Sequence, residues 1–336
     1  MQIYLAPLEG ITTYVYRKAY EHHFGGVDCY FTPFIVNKKM AQKEIEGLLA
    51  ENNPGKELIP QIMTNKAEDF IQVAKEIANY GYDTVNLNLG CPSGTVVAKK
   101  RGAGFLACPD DLDAFLSEVY EKCPMKISVK TRIGLEDEKE WEKILSIYEK
   151  YPMEELIIHP RLRSDFYKGA IRKGAFAKAI EQIKVPICYN GELNSVDDVA
   201  KIKAEFPQID RIMIGRGVLR HPGLIGQIRS WEMGSPLEEA VTMPVYNCRN
   251  EEQPATMESV GLKSRLRGFH DEVYAGYRQI MSGDRNTLFK MKELWSYMGE
   301  SFEDAEKPLK QIKKANHLKE YEIAVNAIFS LNVKEF

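Results

Sequence analysis

The alternation of strand-like and helix-like segments restricts the fold of this chain more than any other feature of its sequence. Over about the first 230 residues, short runs rich in β-branched and aromatic residues are separated by amphipathic stretches with a helical period. Eight strands alternating with eight helices predict an α/β fold, a (β/α)8 TIM barrel, for which this length is normal. A doubly wound open sheet is the alternative. The predicted strands are residues 3–6, 28–32, 58–62, 84–89, 127–131, 155–159, 187–190 and 211–215.

The predicted helices lie between these strands. Asp110 and Ser195 are expected N-caps, because their side-chain oxygens can accept hydrogen bonds from the first turn of a helix. A weaker helical pattern covers residues 38–49. The other predicted helices of the barrel are residues 15–23, 66–80, 111–122, 139–150, 175–182, 196–205 and 218–230.

The alternation ends near Ser235. The segment that follows contains Pro236, Pro244 and Pro254 and reads as a linker or an irregular loop. Beyond it only helical patterns remain, at residues 263–281, 285–298, 303–314 and 318–331. The sequence therefore predicts a barrel domain over residues 1–234, a linker over 235–260 and a small C-terminal all-helical domain over 261–336.

Composition and cysteine spacing narrow the class of protein. The six cysteines lie far apart and form no CxxC pair, so neither a metal site nor a disulfide framework is predicted. Scattered thiols suit a reducing, cytoplasmic location, and no stretch approaches the ~20 apolar residues of a membrane span. Residues 1–7 read as a first strand and not as a signal peptide. A net charge of −3 argues mildly against a strong nucleic-acid binder.

The strand at residues 84–89 carries two amides and runs into a Gly-Cys-Pro turn. Asn86 and Asn88 share one face of it, and a buried amide must find hydrogen-bond partners or cost a few kcal/mol. Cys91 follows at the strand end, where chemistry is done in α/β folds. An inert thiol in a capped turn is the alternative, and this segment alone does not decide between the two.

Polar residues follow seven of the eight predicted strands. Because the C-terminal ends of barrel strands share one face, this repetition predicts a polar ligand there. Lys130, near the barrel centre, must meet either an acidic residue or the anionic atoms of a ligand, since a lone buried ammonium is costly. The residues concerned are Glu9, Gln61, Asn88, Cys91, Lys130, Arg132, His159, Arg161, Arg163, Asn190, Gly191, Glu192, Gly215, Arg216 and Gly217.

Glycines after the last two strands indicate a phosphate site. Gly191 and the turn at residues 215–217 would let backbone N–H groups approach a phosphate, and Arg216 adds charge. Two ordinary tight turns are the alternative. The phosphate of a flavin or pyridine cofactor fits, whereas a Rossmann fold is disfavoured because no GxGxxG follows the first strand.

Several motifs occur in one fixed order along the barrel. They are Leu5-Ala6-Pro7-Leu8-Glu9-Gly10-Ile11-Thr12, Pro60-Gln61-Ile62, Asn86-Leu87-Asn88-Leu89-Gly90-Cys91-Pro92, Val129-Lys130-Thr131-Arg132-Ile133-Gly134, Ile158-His159-Pro160-Arg161, Asn190-Gly191 and Gly215-Arg216-Gly217. As an ordered set they resemble the tRNA-dihydrouridine synthases, FMN-dependent enzymes that reduce uridine in RNA. The resemblance covers the barrel well and the helical region more loosely.

The resemblance implies how the cofactor is held. Pro7 and Leu8 would back the isoalloxazine ring, and Gln61, Lys130 and His159 would hydrogen-bond it. A cation near the N1–O2 edge stabilises the charge of reduced flavin, which is the role implied for Lys130. The rest of the implied cofactor-binding set, around the phosphate, is Asn190, Gly191, Glu192, Gly215 and Arg216.

The same resemblance implies the reaction. Hydride would pass from flavin N5 to carbon 6 of uracil, and the Cys91 thiol would donate a proton to carbon 5 as general acid. Asn88, Arg132 and Arg161 would contact the substrate, and NADPH or NADH would reload the flavin. The substrate would be a flipped or unpaired uridine of RNA, with transfer RNA favoured and no obligate protein partner evident.

Two basic clusters are candidates for contact with RNA phosphates. Lys99, Lys100 and Arg101 follow Cys91 closely, and Lys310, Lys313 and Lys314 fall on one helical face together with Lys307. A solvated charge run is the alternative for the first cluster.

Two other functions compete with RNA uridine reduction. An FMN barrel that reduces a small molecule, of the dihydroorotate or enoate type, would need neither the helical region nor Arg132, Arg161 and Arg163. An RNA-binding module with a vestigial barrel would not need the set of Cys91, Lys130 and His159. The sequence therefore favours the RNA reductase.

Overall fold

Nine parallel strands form one sheet in the computed structural model, which describes residues 1–53, 57–235 and 261–334. Their order across the sheet is β3-β2-β1-β9-β8-β7-β6-β5-β4. The strands are β1 Gln2–Leu5, β2 Cys29–Phe31, β3 Glu57–Ile59, β4 Gln61–Ile62, β5 Thr84–Leu89, β6 Lys126–Arg132, β7 Leu156–His159, β8 Ile187–Tyr189 and β9 Arg211–Ile214.

The predicted strand at residues 58–62 is interrupted at Pro60, which separates β3 from β4. Proline has no N–H to give to a ladder, so a break at this position is expected. β3 pairs with β2, whereas β4 pairs with β5, with Gln61 opposite Asn86. The interrupted strand therefore joins the two ends of the sheet into a nearly closed barrel. The TIM-barrel prediction is confirmed, and the open-sheet alternative is wrong.

The interior of the barrel has an apolar part and a polar part. The apolar part is formed by side chains on β1, β2, β3, β7, β8 and β9 and by the residue that follows β1. It consists of Tyr4, Ala6, Cys29, Phe31, Ile59, Ile157, Cys188 and Met213. The polar part lies on β4, β5 and β6. On β5 the alternate residues Val85, Leu87 and Leu89 are completely buried on the other face, so Asn86 and Asn88 share the inner face.

Fourteen helices are found in the described part of the chain, and most match the predictions within a few residues. They are α1 Tyr14–His23, α2 Gln42–Glu46, α3 Ala67–Ala78, α4 Gly94–Val97, α5 Pro109–Lys122, α6 Glu140–Tyr148, α7 Lys173–Gln182, α8 Val196–Glu205, α9 Arg216–Arg220, α10 Leu224–Met233, α11 Leu262–Ile280, α12 Asp284–Met298, α13 Glu306–Lys314 and α14 Leu318–Phe329. The weak helix at 38–49 shortens to α2. The predicted helix at 218–230 is two helices, because Pro222 lies between α9 and α10.

The two predicted N-caps have different outcomes. Ser195 is confirmed, since its Oγ accepts a hydrogen bond from the backbone N–H of Asp198 at 3.2 Å. Asp110 is wrong as a cap, because Pro109 is the first residue of α5 and Cys108 occupies the cap position. Proline suits the first helical position, where its missing N–H is not needed, and this shifts the helix start by two residues.

The chain divides into two compact units. The first comprises Met1–Pro7, Asp28–Glu192 and Ile202–Ile214, and it contains all nine strands. The second comprises Leu8–Val27, Leu193–Lys201 and Gly215–Phe336, so it includes α1, α9 and α10 as well as the C-terminal helices. The predicted linker at 235–260 lies almost wholly outside the described residues, and the predicted domain boundaries stay predictions.

The second unit has a core of its own. The Oη of Tyr321 accepts a hydrogen bond from Trp295 Nε1 at 2.9 Å and lies 2.6 Å from His270 Nε2. Glu272 of α11 joins α1 through one carboxylate oxygen, which lies 2.6 Å from His22 Nδ1 and 2.9 Å from His23 Nε2. None of the helices in the described ranges is both long and apolar enough to cross a membrane.

Candidate active site

Strand register brings the polar residues of the barrel interior together. On neighbouring strands Gln61 lies opposite Asn86, and Asn86 lies opposite Ser128. One step closer to the C-terminal end, Asn88 lies opposite Lys130. Parallel strands in this register place these five side chains side by side, and we call them the polar sector. The sector forms two levels below the C-terminal mouth of the barrel.

Asn88 is bound mainly to its own loop. Its Oδ1 accepts hydrogen bonds from the backbone N–H groups of Gly90 and Cys91, both at 3.0 Å, and its Nδ2 donates to Gln61 Oε1 at 2.7 Å. Its exposed fraction is 7%. The predicted contact of Asn88 with uracil therefore has a single donor, the second N–H of Nδ2, available within the described residues.

The half-buried Cys91 stands directly after β5, and the chain folds back against it. Its carbonyl oxygen accepts from Ala103 N–H at 3.1 Å, and Gly102 has a φ of +54°. A Cβ on Gly102 would lie 2.9 Å from Cys91 Cβ, so only glycine fits there. Gly102 therefore packs against Cys91 in the loop of residues 90–93, which we call the Cys91 loop.

Lys130 carries an ammonium group with no hydrogen-bond or ion-pair partner in the ranges that the structure describes. Burial, followed by the charge of Arg132, lowers the pKa of Lys130 to about 8. The predicted alternative, an acidic partner in the barrel, is not found among the described residues. A buried ammonium that has no acidic partner nearby suits the anionic edge of a bound ligand.

Arg132 binds backbone carbonyl groups. Its Nε donates to Gly90 O at 2.9 Å, and its Nη1 and Nη2 donate to Leu162 O and Phe166 O, both at 2.8 Å. Its exposed fraction is 1%, and burial lowers its pKa to about 10. This placement does not favour the predicted contact with uracil. Arg132 instead holds the Cys91 loop against the loop that follows β7.

Arg161 and Glu192 form an ion pair, with 2.7 Å between Arg161 Nη2 and Glu192 Oε2. The Nε of Arg161 donates to Gly169 O at 2.7 Å, whereas its buried Nη1 has no partner within the described residues. Arg161 Nη1 is thus a buried donor without a partner in this part of the chain, and the predicted contact of Arg161 with substrate stays a prediction. Glu192, predicted to bind cofactor, orients Arg161 in the structure.

His159, Asn190 and Gly191 follow at the ends of the next two strands. His159 is half-buried at the end of β7, opposite Arg132, and Asn190 Nδ2 donates to Met213 O at 2.8 Å. A Cβ on Gly191 would lie 2.2 Å from Tyr189 Oη, so a side chain is excluded there. The glycine is thus required by packing as well as by any phosphate.

The structure gives the burial and the element of each remaining predicted residue. Pro7 is half-buried at the end of β1, and the second unit contains Leu8, Gly215 and Arg216, each half-buried. Lys99 and Lys100 are exposed and Arg101 is half-buried, in the turn after α4. Exposed positions on α13 are occupied by Lys307, Lys310, Lys313 and Lys314. The roles predicted for all of these residues stay predictions.

Three residues near the site have no individual role among the predictions. Ser128 and Asn86 belong to the hydrogen-bonded polar sector, and Arg163 Nε donates to Pro92 O at 3.3 Å, next to Cys91. The signal for Asn86 and Ser128 is their spacing, two residues before Asn88 and Lys130 respectively, which places each pair on one strand face.

Comparison with known proteins shows the family. A sequence profile described as dihydrouridine synthase matches residues 4–318. The chain is 29% identical over 231 residues to tRNA-dihydrouridine synthase B of Pasteurella multocida, covering 68% of this chain and 69% of that one. It is 30% identical over 255 residues to the tRNA-dihydrouridine(16) synthase of Pseudomonas syringae pv. tomato, covering 72% and 78%.

Solved structures show the same barrel. Morphinone reductase superposes with a TM-score of 0.50 at 13% identity, over 70% of this chain and 86% of that one. The histamine dehydrogenase from Rhizobium sp. 4-9 gives 0.53 at 12% identity, over 81% and 49%. Identities this low establish the fold alone.

The chain therefore belongs to the dihydrouridine synthase family. It is an oxidoreductase that reduces uridine in tRNA with a flavin cofactor.

Proposed function

We propose that this protein binds FMN at the barrel mouth and reduces uridine to dihydrouridine in tRNA, with Cys91 as the proton donor and NADPH or NADH as reductant. The observation that carries the proposal is the ammonium of Lys130, buried beside the Cys91 loop with no counter-ion among the described residues. A fixed cation in such a site favours a ligand that carries or gains negative charge.

The polar sector of the barrel fits the pyrimidine edge of an isoalloxazine ring. That edge offers two carbonyl oxygens and one N–H, so it needs donors and one acceptor. Lys130 and Gln61 can supply them, because Gln61 retains one N–H and one oxygen lone pair after its bonds to Asn86 and Asn88. His159, Asn190, Gly191, Gly215 and Arg216, with Pro7 and Leu8, are proposed to hold the rest of the cofactor. Reduced FMN supplies the hydride received at carbon 6 of uracil.

Cys91 completes the reduction by donating the proton of its thiol to carbon 5 of uracil. The C5–C6 double bond thus gains one hydride and one proton, and the thiolate recovers its proton from solvent. General acid catalysis needs the protonated thiol, and not the thiolate, when the proton is transferred to carbon 5. Asn88 and Arg161 each retain a donor suited to the carbonyl oxygens of the base.

Contacts with RNA phosphates are proposed for two surfaces. Lys99, Lys100 and Arg101 lie close to Cys91 in sequence, and Lys310, Lys313 and Lys314 are exposed on α13. The target uridine must leave its stack to reach a barrel mouth, at a cost of a few kcal/mol, and phosphate contacts can offset this cost. A tRNA substrate, together with the scattered cysteines of the sequence, favours the cytoplasm as the location.

The test loads the purified protein with FMN and supplies unmodified tRNA with NADPH or NADH. We expect a flavin absorption spectrum, oxidation of the reductant and dihydrouridine detected by mass spectrometry of the digested tRNA. Mapping the modified position in RNA from cells with and without this protein identifies the target uridine. A protein that takes up no FMN, or that oxidises the reductant without forming dihydrouridine, contradicts the proposal.

A further inference from the structure

A one-way chain of hydrogen bonds runs through the barrel interior to the backbone of Cys91. It starts from a fixed point, because the atoms that Asn88 meets at Gly90 and Cys91 are backbone N–H groups, which only donate. The Asn88 atom that faces them must be Oδ1. The orientation of this amide therefore follows from its partners and is not a free choice between oxygen and nitrogen.

The orientation of each following side chain follows from the one before it. Nδ2 of Asn88 donates at 2.7 Å to Gln61, so the Gln61 atom there is Oε1. Nε2 of Gln61 then faces Asn86, whose Oδ1 accepts at 2.8 Å. Finally, Nδ2 of Asn86 donates to Ser128 Oγ at 2.8 Å.

Burial keeps water from replacing these bonds. Gln61 and Asn86 have exposed fractions of 0%, and Ser128 has 1%. Turning any one amide by half a revolution would set donor against donor and acceptor against acceptor, which is costly in a buried site. The four side chains therefore keep one direction as a group.

We propose that Asn86 and Ser128 are positioning residues of the reaction: they hold Gln61, and through it the Asn88 amide, in the one direction that the backbone N–H groups of Gly90 and Cys91 require. The proposal rests on the proposed function for the role of Cys91. Neither residue has to touch substrate or cofactor. Their effect reaches Cys91 through Gln61 and Asn88, and it also decides which atoms of those two amides remain for ligands.

The direction of the chain has a chemical consequence. Asn88 keeps one N–H and no acceptor, so it can bind a carbonyl oxygen of the base and cannot accept from the imino N–H. Gln61 keeps one donor and one acceptor in a fixed order. If Asn86 no longer accepted from Gln61, that amide could turn, and Asn88 would lose the acceptor that receives its Nδ2 hydrogen bond.

The test uses the FMN-loaded, full-length protein with Ser128→Ala, Asn86→Leu, Ser128→Thr and Cys29→Ala. Ser128→Ala removes one hydroxyl and is the mild variant if Asn86→Leu fails to fold. Ser128→Thr keeps the hydroxyl. Cys29→Ala is the matched control, because it truncates a side chain of the apolar barrel interior by one atom without touching the chain of amides.

Hydrogen exchange of the peptide that contains Gly90 and Cys91 is the primary readout, since it needs no turnover. We expect Ser128→Ala and Asn86→Leu to speed exchange in this peptide by about tenfold, with other barrel peptides unchanged. We expect the kcat for dihydrouridine formation to fall by about 10- to 100-fold, with little change in the KM for tRNA. Ser128→Thr should restore both values, and Cys29→Ala should leave both at wild-type levels.

A further variant tests the direction itself. Asn88→Asp keeps an acceptor for Gly90 and Cys91 but has no donor for Gln61. We expect exchange in the Gly90–Cys91 peptide to stay slow while the flavin absorption spectrum shifts, because Gln61 must turn its amide. Fast exchange in Asn88→Asp would overturn the assignment of Oδ1 as the acceptor.

The proposal is overturned if Ser128→Ala and Asn86→Leu leave the exchange of this peptide unchanged, or if Cys29→Ala speeds it equally. The proposed function fails by a different result. If the wild-type protein forms no dihydrouridine although the exchange differences are as expected, the hydrogen-bond chain holds Cys91 and the reaction assigned to Cys91 is wrong.

Discussion

The Nε of Arg132 donates to the carbonyl oxygen of Gly90 at 2.9 Å, and this bond ties β6 to the residue that precedes Cys91. The N–H of Gly90 donates in turn to Asn88 Oδ1, so Gly90 is held on both sides. Lys130 lies two residues before Arg132 on the same face of β6. The proposed flavin-binding cation and the proposed acid thus depend on one pair of neighbouring strands.

Arg132→Met is expected to destabilise the protein by about 3 kcal/mol, because it leaves the carbonyl groups of Gly90, Leu162 and Phe166 without their buried donor. Urea denaturation followed by circular dichroism measures the loss. Arg163→Met is the matched control, since Arg163 is half-buried, lies over the Phe166 ring and, in the described ranges, makes one longer hydrogen bond, at 3.3 Å. Equal midpoints for wild type and Arg132→Met would contradict this role.

The affinity for FMN is expected to depend on the charge of Lys130. Because burial lowers the pKa of Lys130 to about 8, the ammonium is charged below that pH and neutral above it. FMN binding, measured by fluorescence quenching, should therefore weaken as the pH rises through about 8. Lys130→Met should bind FMN more weakly at pH 7 and lose this pH dependence. A Lys130→Met profile that still falls through pH 8 would assign the titration to another group.

The carboxylate of Glu272, bound by His22 and His23 in the second unit, predicts that the stability of the fold changes at acidic pH. Hydrogen bonds from His23 and, more weakly, His22 lower the pKa of Glu272 to about 2, against an ordinary value of 4.5. A depressed carboxyl pKa stabilises the fold above the unfolded value and is lost as the pH falls toward the folded one. Glu272→Gln should cost about 1 kcal/mol near pH 6 and progressively less from pH 4.5 down to 2. A difference that grows on acidification would contradict this assignment.

Charge reversal on α13 tests the proposed RNA surface. Replacing Lys310, Lys313 and Lys314 by Glu should raise the KM for tRNA by about tenfold at low salt, with a smaller effect at higher salt. Oxidation of NADPH in the absence of tRNA should not change. The matched control reverses three exposed lysines of the first unit, Lys75, Lys139 and Lys184. An equal rise in KM for the control would mean that net charge, and not this surface, sets the affinity.

The sequence predicts the barrel well because the period of the hydrophobic pattern and the positions where strands end are local properties. All eight predicted strands are present, and the break at Pro60 is the main difference among them. The partner that a charged side chain binds at the end of a strand is not a local property of the sequence. Arg132 and Glu192 were expected at ligands, yet the structure satisfies Arg132 with backbone carbonyls from two loops and Glu192 with Arg161. Those partners are distant in sequence, so no pattern around either residue reveals them.

The hydrogen-bonded amides of the barrel interior also have partners that the sequence does not reveal. The alternation of Asn86 and Asn88 indicates that both face inward, and buried amides need partners. Only the pairing of β4 with β5 and of β5 with β6 identifies those partners as Gln61 and Ser128. A single sequence gives the face that a residue occupies, whereas the neighbour across the strand depends on register.

The central claim, that Cys91 donates the proton, is tested most directly by single-turnover reduction of tRNA with pre-reduced, FMN-loaded Cys91→Ala. The matched control is Cys123→Ala, which removes another half-buried thiol of the barrel unit. We predict that Cys91→Ala binds FMN and oxidises NADPH as the wild type does but forms dihydrouridine at least about 100-fold more slowly, the scale of a lost general acid. Formation of dihydrouridine by Cys91→Ala at the rate of wild type and Cys123→Ala would contradict the account.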